Sequence, residues 1–394
     1  MTLLEGIRIL DLSRLLPGPY CTMLLGDLGA EVVKIETPGI GDYMRMIPPF
    51  LEDSTTGETI STAFVMVNRN KKSVALNFRN ARGKEVFKRL AKGADVILET
   101  FRPGAVDRWG IGYKAMQAIN PSIVYCSLSG YGQTGPYRTR AGHDLNYLAL
   151  TGILAANGAP GGPPIPPAVQ VADLSGGMLA AVSILAALVG RSKTGEGQYL
   201  DVSLFESALS WAGTMIGATF AAGNKTGPGT MQLNGAMACY NVYETQDGEY
   251  LTLGAIEPHF WAAFCKAVER SDLDARAYDA QAIPDVAAIF KTRTRAEWLG
   301  MFDSIDACIE PVRDFEQIME DPHLRHRGLI QQTVIPGDGA VPQVGSVFVF
   351  ANRHATPPPA LGQHTREVLQ GIGMEDQELE DLEERGITKS QAAS

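Results

Sequence analysis

The chain has 394 residues, of which 45% are hydrophobic and 20% charged, and its formal net charge at pH 7 is −10. A chain of this length buries a large core without disulfide or metal staples, and its size suits two domains or one large domain with an insert. An acidic protein is a poor general binder of nucleic acid, so an anionic ligand would need a local basic patch.

Residues 6–12 (GIRILDL) are a short apolar run that predicts a strand. Pro17, Gly18 and Pro19 break it, an apolar helical stretch continues to Leu28, and Gly29 closes that helix. Residues 31–35 (EVVKI) read as the next strand and complete a βαβ unit. The pattern repeats as a strand at 73–78, an amphipathic helix at 81–91 and a β-rich run at 94–99. Another β-rich run at 122–127 leads into a Gly-rich turn at 130–135. A long helix over about 174–189 precedes a strand at 198–204. This alternation predicts an α/β fold with a doubly wound, mostly parallel sheet in a large domain.

The Gly/Pro-rich run 157–167 is a long loop, of the kind that is often functional. Residues 222–237 read as a linker, and NVYETQDGEYLTL after it has hairpin character around Asp247-Gly248. Helical segments to about 320 follow. The expected division is a large domain at 1–222 and 330–394 and a smaller α+β domain at 223–329. Seven acids in 375–384 mark an acidic terminal helix. No GxGxxG follows the first strand, so the dinucleotide fingerprint is missing.

The five cysteines form no CxxC pair and never meet the six histidines at ligand spacing. This predicts a reduced, cytoplasmic protein with no metal site. The opening MTLLEGIRILDLS lacks a basic n-region and reads as a strand rather than a signal peptide. The longest apolar run, 178–189, is short for a membrane span.

Four places could carry chemistry. In AGHDLNY (141–147), His143 precedes a predicted helix; it is a candidate general base, although spacing alone favours a helix cap or a side chain that fills a partly buried hole. In VADLSGG (171–177), Asp173 reads as the N-cap of the long helix and, beside Gly176 and Gly177, as a carboxylate that a substrate could approach. Glu257 in GAIEPHF is a first-turn acid, or a partner that fixes the tautomer of a histidine. The cations of NRNKK (68–72), with Lys71 and Lys72, together with Arg79 and Arg102, suit a phosphorylated ligand or a solvated loop equally well.

Taken together, LEGIRILDLSRLLPGPYCTMLLGDLGAEVVKIE, VNRNKKSVALNFR, DVILETFRPG, LSGYGQTGP, AGHDLNYLALTG, VADLSGGM, SKTGEGQYLDVSLFES, GAIEPHF, DACIEPV and GQHTREVL resemble one family across nearly the whole chain. It is the family of α-methylacyl-CoA racemase and the class III (CaiB/BaiF) CoA-transferases. The resemblance implies that His143 and Asp173 are catalytic and that Glu257 supports the histidine. It further implies that Leu76, Asn77, Phe78 and Arg79, with the backbone from Gly142 through Asp144 to Tyr147, contact the CoA thioester. Thr37 stands where many relatives carry a CoA-contacting arginine, which leaves Lys71, Lys72 or Arg102 to supply the charge.

The activity implied is epimerisation at C2 of a 2-methylacyl-CoA by 1,1-proton transfer. CoA is then part of the substrate and no cofactor is needed. The alternative is transfer of CoA between carboxylic acids through an anhydride on Asp173. An interlocked homodimer is implied, with neither nucleic acid nor membrane as partner.

Overall fold

A computed structural model describes residues 2–52, 59–223, 226–335, 339–348, 350 and 355–391. The chain groups into two compact units: Met1–Tyr147, Gln170–Ala208 and Pro322–Ser394 form the first, and Leu148–Val169 with Leu209–Asp321 form the second. The segments 148–169 and 209–222 thus group with the second unit, and 322–329 with the first. Residues 224 and 225 of the predicted linker lie outside the described residues.

The first unit is built on β1 (Arg8–Asp11), α1 (Pro17–Asp27), β2 (Glu31–Glu36), β3 (Lys71–Leu76), α2 (Ala81–Lys92), β4 (Val96–Glu99) and β5 (Val124–Ser129). It continues with the first four residues of α3 (Asp144–Thr151), and with α4 (Val171–Thr194), β6 (Tyr199–Ser203), α5 (Asp376–Glu384) and β7 (Thr388–Lys389). The strands form one sheet in the order β7-β3-β2-β1-β4-β5-β6. All pairs are parallel except β7 on β3. The mostly parallel α/β sheet expected from the alternation is present.

Parallel strands covered by helices are apolar on both faces. Ile9 and Leu10 of β1 and Val96, Ile97 and Leu98 of β4 are accordingly all fully buried. Pro17 starts α1 because a missing N–H costs nothing in a first turn. Gly29 then takes a φ of +102°, a left-handed turn that lets β2 return beside β1. Asn80 caps α2 by accepting from the Arg82 N–H, and Val86, Phe87, Leu90 and Ala91 form its buried stripe.

A buried charge network lies under α1 and the edges of β1 to β3. The Asp11 carboxylate accepts from Ser13, from the Thr22 hydroxyl at 2.7 Å and from the Lys71 ammonium at 3.3 Å. Burial alone would raise Asp11. The ammonium groups of Lys34 and Lys71, with those hydroxyls, instead hold it at about 2. Lys34 pairs with Asp42 at 2.8 Å, and both side chains are fully buried.

The helix α4 runs 24 residues, twice the apolar run 178–189, and contains an 18-residue stretch of mean hydropathy 1.8. By length and composition alone it could cross a membrane, so the apolar run understated it. One face packs closely on α1: a Cβ at Gly177 would stand 2.5 Å from the Pro17 carbonyl oxygen.

The second unit holds a three-stranded antiparallel sheet, with Tyr250–Gly254 between Tyr240–Glu244 and Ile309–Pro311. The predicted hairpin is there, with Gly248 at φ +78° in its turn. Leu251, Leu253 and Tyr243 pack with Trp261, Phe264 and Phe290 in a core of this unit.

Candidate functional site

With β1 central, the chain winds first to β2 and β3 and then crosses to β4, β5 and β6. Ligands of open α/β sheets bind beyond the carboxyl ends of the strands near such a reversal. A cleft of about 410 Å³ opens there in the first unit, where Thr100–Pro103 follow β4 and Ser129–Tyr131 end β5. Arg102, Arg138, Arg140 and His143 line it, and among the described residues no acidic side chain does.

The cleft wall is set by two glycines and two tyrosines. Tyr131 and Tyr147 meet edge to face with centroids 5.1 Å apart. The Tyr147 hydroxyl donates to the Gly142 carbonyl at 2.7 Å. A Cβ at Gly130 would lie 2.4 Å from that hydroxyl oxygen, so a side chain there would push Tyr147 away. The Thr100–Pro103 strap is held from below by Glu99, 1% exposed, whose carboxylate accepts from the Phe101 N–H at 2.7 Å. Burial pushes Glu99 up to about 7.

His143 sits just before α3, at the helix entrance expected from the sequence. Its backbone N–H donates to Asn146 Oδ1 at 3.0 Å, and its imidazole is exposed at the cleft. Asp173 is not an N-cap. Gln170 holds that position without a side-chain bond, and Asp173 is the third residue of α4. The capping comes from a distant acid: Asp144 Oδ1 accepts from the backbone N–H of Ala172 at 2.6 Å and of Asp173 at 3.2 Å. The carboxylate faces the positive end of the helix dipole, which favours its charge there.

That bond links the chain next to one sequence candidate to the backbone of the other; the cleft lining includes His143 and does not include Asp173. The residue after His143 is clamped to the backbone of Asp173. Burial pushes the Asp173 carboxyl up to about 7, and the neighbouring Asp144 charge pushes the same way. A carboxyl poised between acid and base at neutral pH suits proton transfer, and in its charged form it can act as a nucleophile. The clamp itself is testable. Asp144→Ala should lower stability by about 1–2 kcal/mol. It should also lower kcat by roughly tenfold or more through displacement of Asp173. Asp144→Asn, which keeps an acceptor, should recover most of the melting temperature.

Other predicted residues take different places. The Lys71 side chain is wholly buried and bonded to Asp11, Asn68 and the Pro19 carbonyl, so no ligand reaches it. This corrects its reading as a binding cation: Lys71 opens the buried strand β3, which draws it into the interior, where Asp11 meets it. Lys72 is committed to Glu31 and Glu367. Leu76 and Phe78 are core side chains at 0% and 2% exposure, and Phe78 also lines a small cavity with Arg14, Thr37 and Phe101. Asn77 Oδ1 accepts from the Arg79 N–H, and the Arg79 guanidinium covers the Trp109 ring at 4.4 Å. Arg102 lies in the cleft, as a phosphate-binding cation would. Glu257 belongs to the second unit, where it is exposed and stands at the N-cap of the helix Pro258–Ala267: its carbonyl accepts from the Phe260 and Trp261 N–H groups, and its side chain makes no cap bond.

Sequence reasoning missed Arg138 and Arg140, although RTR directly precedes AGHD, and missed Asp144 as the clamp. Capping by a residue 28 positions upstream leaves no local signature.

A family profile described as CoA-transferase family III matches residues 4–365. The chain is 36% identical to succinyl-CoA:glutarate CoA-transferase of Mus musculus, covering 94% of this chain and 86% of that protein. It is 34% identical to the α-methylacyl-CoA racemase of Homo sapiens, covering 98% of both. The crystal structure of a CaiB/BaiF family protein from Brucella suis superposes with a TM-score of 0.82 at 27% identity, covering 94% of this chain and 99% of that one. The α/β sheet, the cleft beyond its carboxyl edge and a match over nearly the full length agree: the chain belongs to CoA-transferase family III.

Proposed function

We propose that this chain is an acyl-CoA enzyme that epimerises C2 of a 2-methylacyl-CoA by 1,1-proton transfer. The observation that carries the reading is the clamp of the His143-Asp144 turn onto Asp173, with the Asp173 carboxyl raised to about 7. A proton α to a thioester is weakly acidic, so its removal needs a placed base and its return a placed acid. His143 takes the proton from one face of C2, and Asp173, protonated, delivers one to the other. The C2–H bond breaks to give an enolate and a new C2–H bond forms, so nothing is oxidised and no second substrate enters. Arg102, Arg138 and Arg140 suit the CoA phosphates. In this reading the enzyme acts as a homodimer.

The names of similar proteins favour a second reading. Two of them are succinyl-CoA:glutarate CoA-transferases, at 36% and 34% identity. Here the ionised Asp173 attacks the thioester carbonyl. A mixed anhydride forms and the CoA thiolate leaves; the thiolate then attacks the aspartyl carbonyl, which releases the donor acid and leaves an aspartyl-CoA thioester. An acceptor carboxylate attacks that thioester to form a second anhydride and expel CoA again, and the thiolate takes up the acceptor acyl group and frees the Asp173 carboxylate.

Incubation with one pure 2-methylacyl-CoA epimer in deuterated water separates the two. Epimerisation with deuterium at C2 in the absence of any free acid is expected. His143→Ala should reduce that exchange by roughly 10²-fold or more, with its melting temperature unchanged because the side chain is exposed. No exchange, together with CoA transfer to succinate or glutarate, would replace the first reading by the second.

A further inference from the structure

Ser129 is the last residue of β5 and lines the cleft that holds His143. It is 7% exposed, and among the described residues its hydroxyl oxygen has no hydrogen-bond partner. Serines nearby on β5 and on its neighbour β6 are bonded: Ser127 to Glu99, and Ser203 to the Gly130 carbonyl and the Glu206 N–H. A buried hydroxyl left unpaired destabilises the chain that carries it, because the bonds it made to water are not replaced. An unpaired hydroxyl at the carboxyl end of a parallel strand, inside a cleft, lies where such folds receive ligands.

The cleft decides what the ligand offers. Its cationic side chains are Arg102, Arg138 and Arg140, and among the described residues no carboxylate lines it. A guest among three guanidinium groups presents acceptor oxygens, and a serine hydroxyl can donate its one hydrogen to such an oxygen. We propose that Ser129 is a further binding residue, whose hydroxyl donates to an oxygen of the acyl-CoA. The ligand completes a hydrogen bond that the protein alone leaves unmade. This inference rests on the acyl-CoA reading and adds to it a residue that makes no use of proton transfer or acyl transfer. The acceptor belongs either to the thioester carbonyl or to the CoA moiety, and the two sources separate by experiment.

The test is Ser129→Ala in the full chain, titrated calorimetrically with acetyl-CoA and with free CoA, and melted without ligand. Acetyl-CoA should bind about tenfold more weakly or worse. The melting temperature without ligand should be unchanged or higher, since the unpaired hydroxyl is gone. Weakening with acetyl-CoA alone assigns the bond to the thioester carbonyl, and equal weakening with free CoA assigns it to the CoA moiety. A variant that binds both probes like the wild type overturns the proposal. So does one that melts lower, because the hydroxyl would then be bonded within the fold. A wild-type protein that binds neither probe overturns the acyl-CoA reading itself.

Discussion

Replacement of Asp173 by asparagine is expected to lower kcat by about 10³-fold or more while the protein melts at the same temperature or higher. Asparagine keeps the shape of the side chain but can neither exchange a proton nor form an anhydride, so the loss follows under both readings of the chemistry. The stability effect has the opposite sign, because the carboxyl is strained towards its neutral form. Burial and the Asp144 charge move it from an ordinary value of 3.8 up to about 7. Between those values the folded protein holds a proton that the unfolded chain has released. Wild-type stability therefore falls as pH rises through that window. Denaturation of both proteins at about pH 5 and about pH 8 should show the variant gaining on the wild type at the higher pH. The kinetic counterpart is a rate that declines above about pH 7 in the direction where Asp173 donates. An Asp173→Asn protein with near-normal turnover would remove this residue from the chemistry.

The second large effect concerns the scaffold. Asp11→Ala should destabilise the chain by about 3–5 kcal/mol, because it leaves a buried ammonium group without its counter-charge. Lys71 would keep only the Pro19 carbonyl and the Asn68 side-chain oxygen, and Thr22 would lose its carboxylate acceptor. Thermal melting should register a fall of roughly 10 °C or more. Asp11 is held at about 2 against an ordinary 3.8, so its contribution is present above about pH 4 and is lost as pH falls towards 2. That part of the acid destabilisation should be missing from the variant. A melting temperature within a degree or two of the wild type would show that the network stabilises nothing.

The sheet of the first unit was legible where turn chemistry interrupts hydrophobic runs. Pro17 and Pro19 mark the start of α1 and Gly29 its end, so β1, α1 and β2 follow from local rules. The predicted strand edges fall within two residues of the observed ones for β1 to β6. The two-residue strand β7 was not legible, because it pairs with β3 from more than 300 positions away. The candidate site divides in the same way. Asp173 and His143 stand out by type and context, but the part each plays locally does not. Asp173 looked like a cap because an acid preceded a helix, whereas the cap is Asp144, set by tertiary structure. Lys71 looked like a ligand contact because basic residues are commonly exposed. Its buried partner Asp11 lies 60 residues upstream, and no local pattern announces such a pair.

The clamp at Asp144 also bears on how chemistry can diverge within one scaffold. The carboxylate of residue 144 anchors the long helix, whereas residue 143 contributes only its main chain to the local bonding. Any amino acid with a backbone N–H could occupy position 143 without loosening the mount of the neighbouring acid. A lineage can therefore gain or lose an imidazole here at little structural risk, and retain the carboxyl for a different reaction.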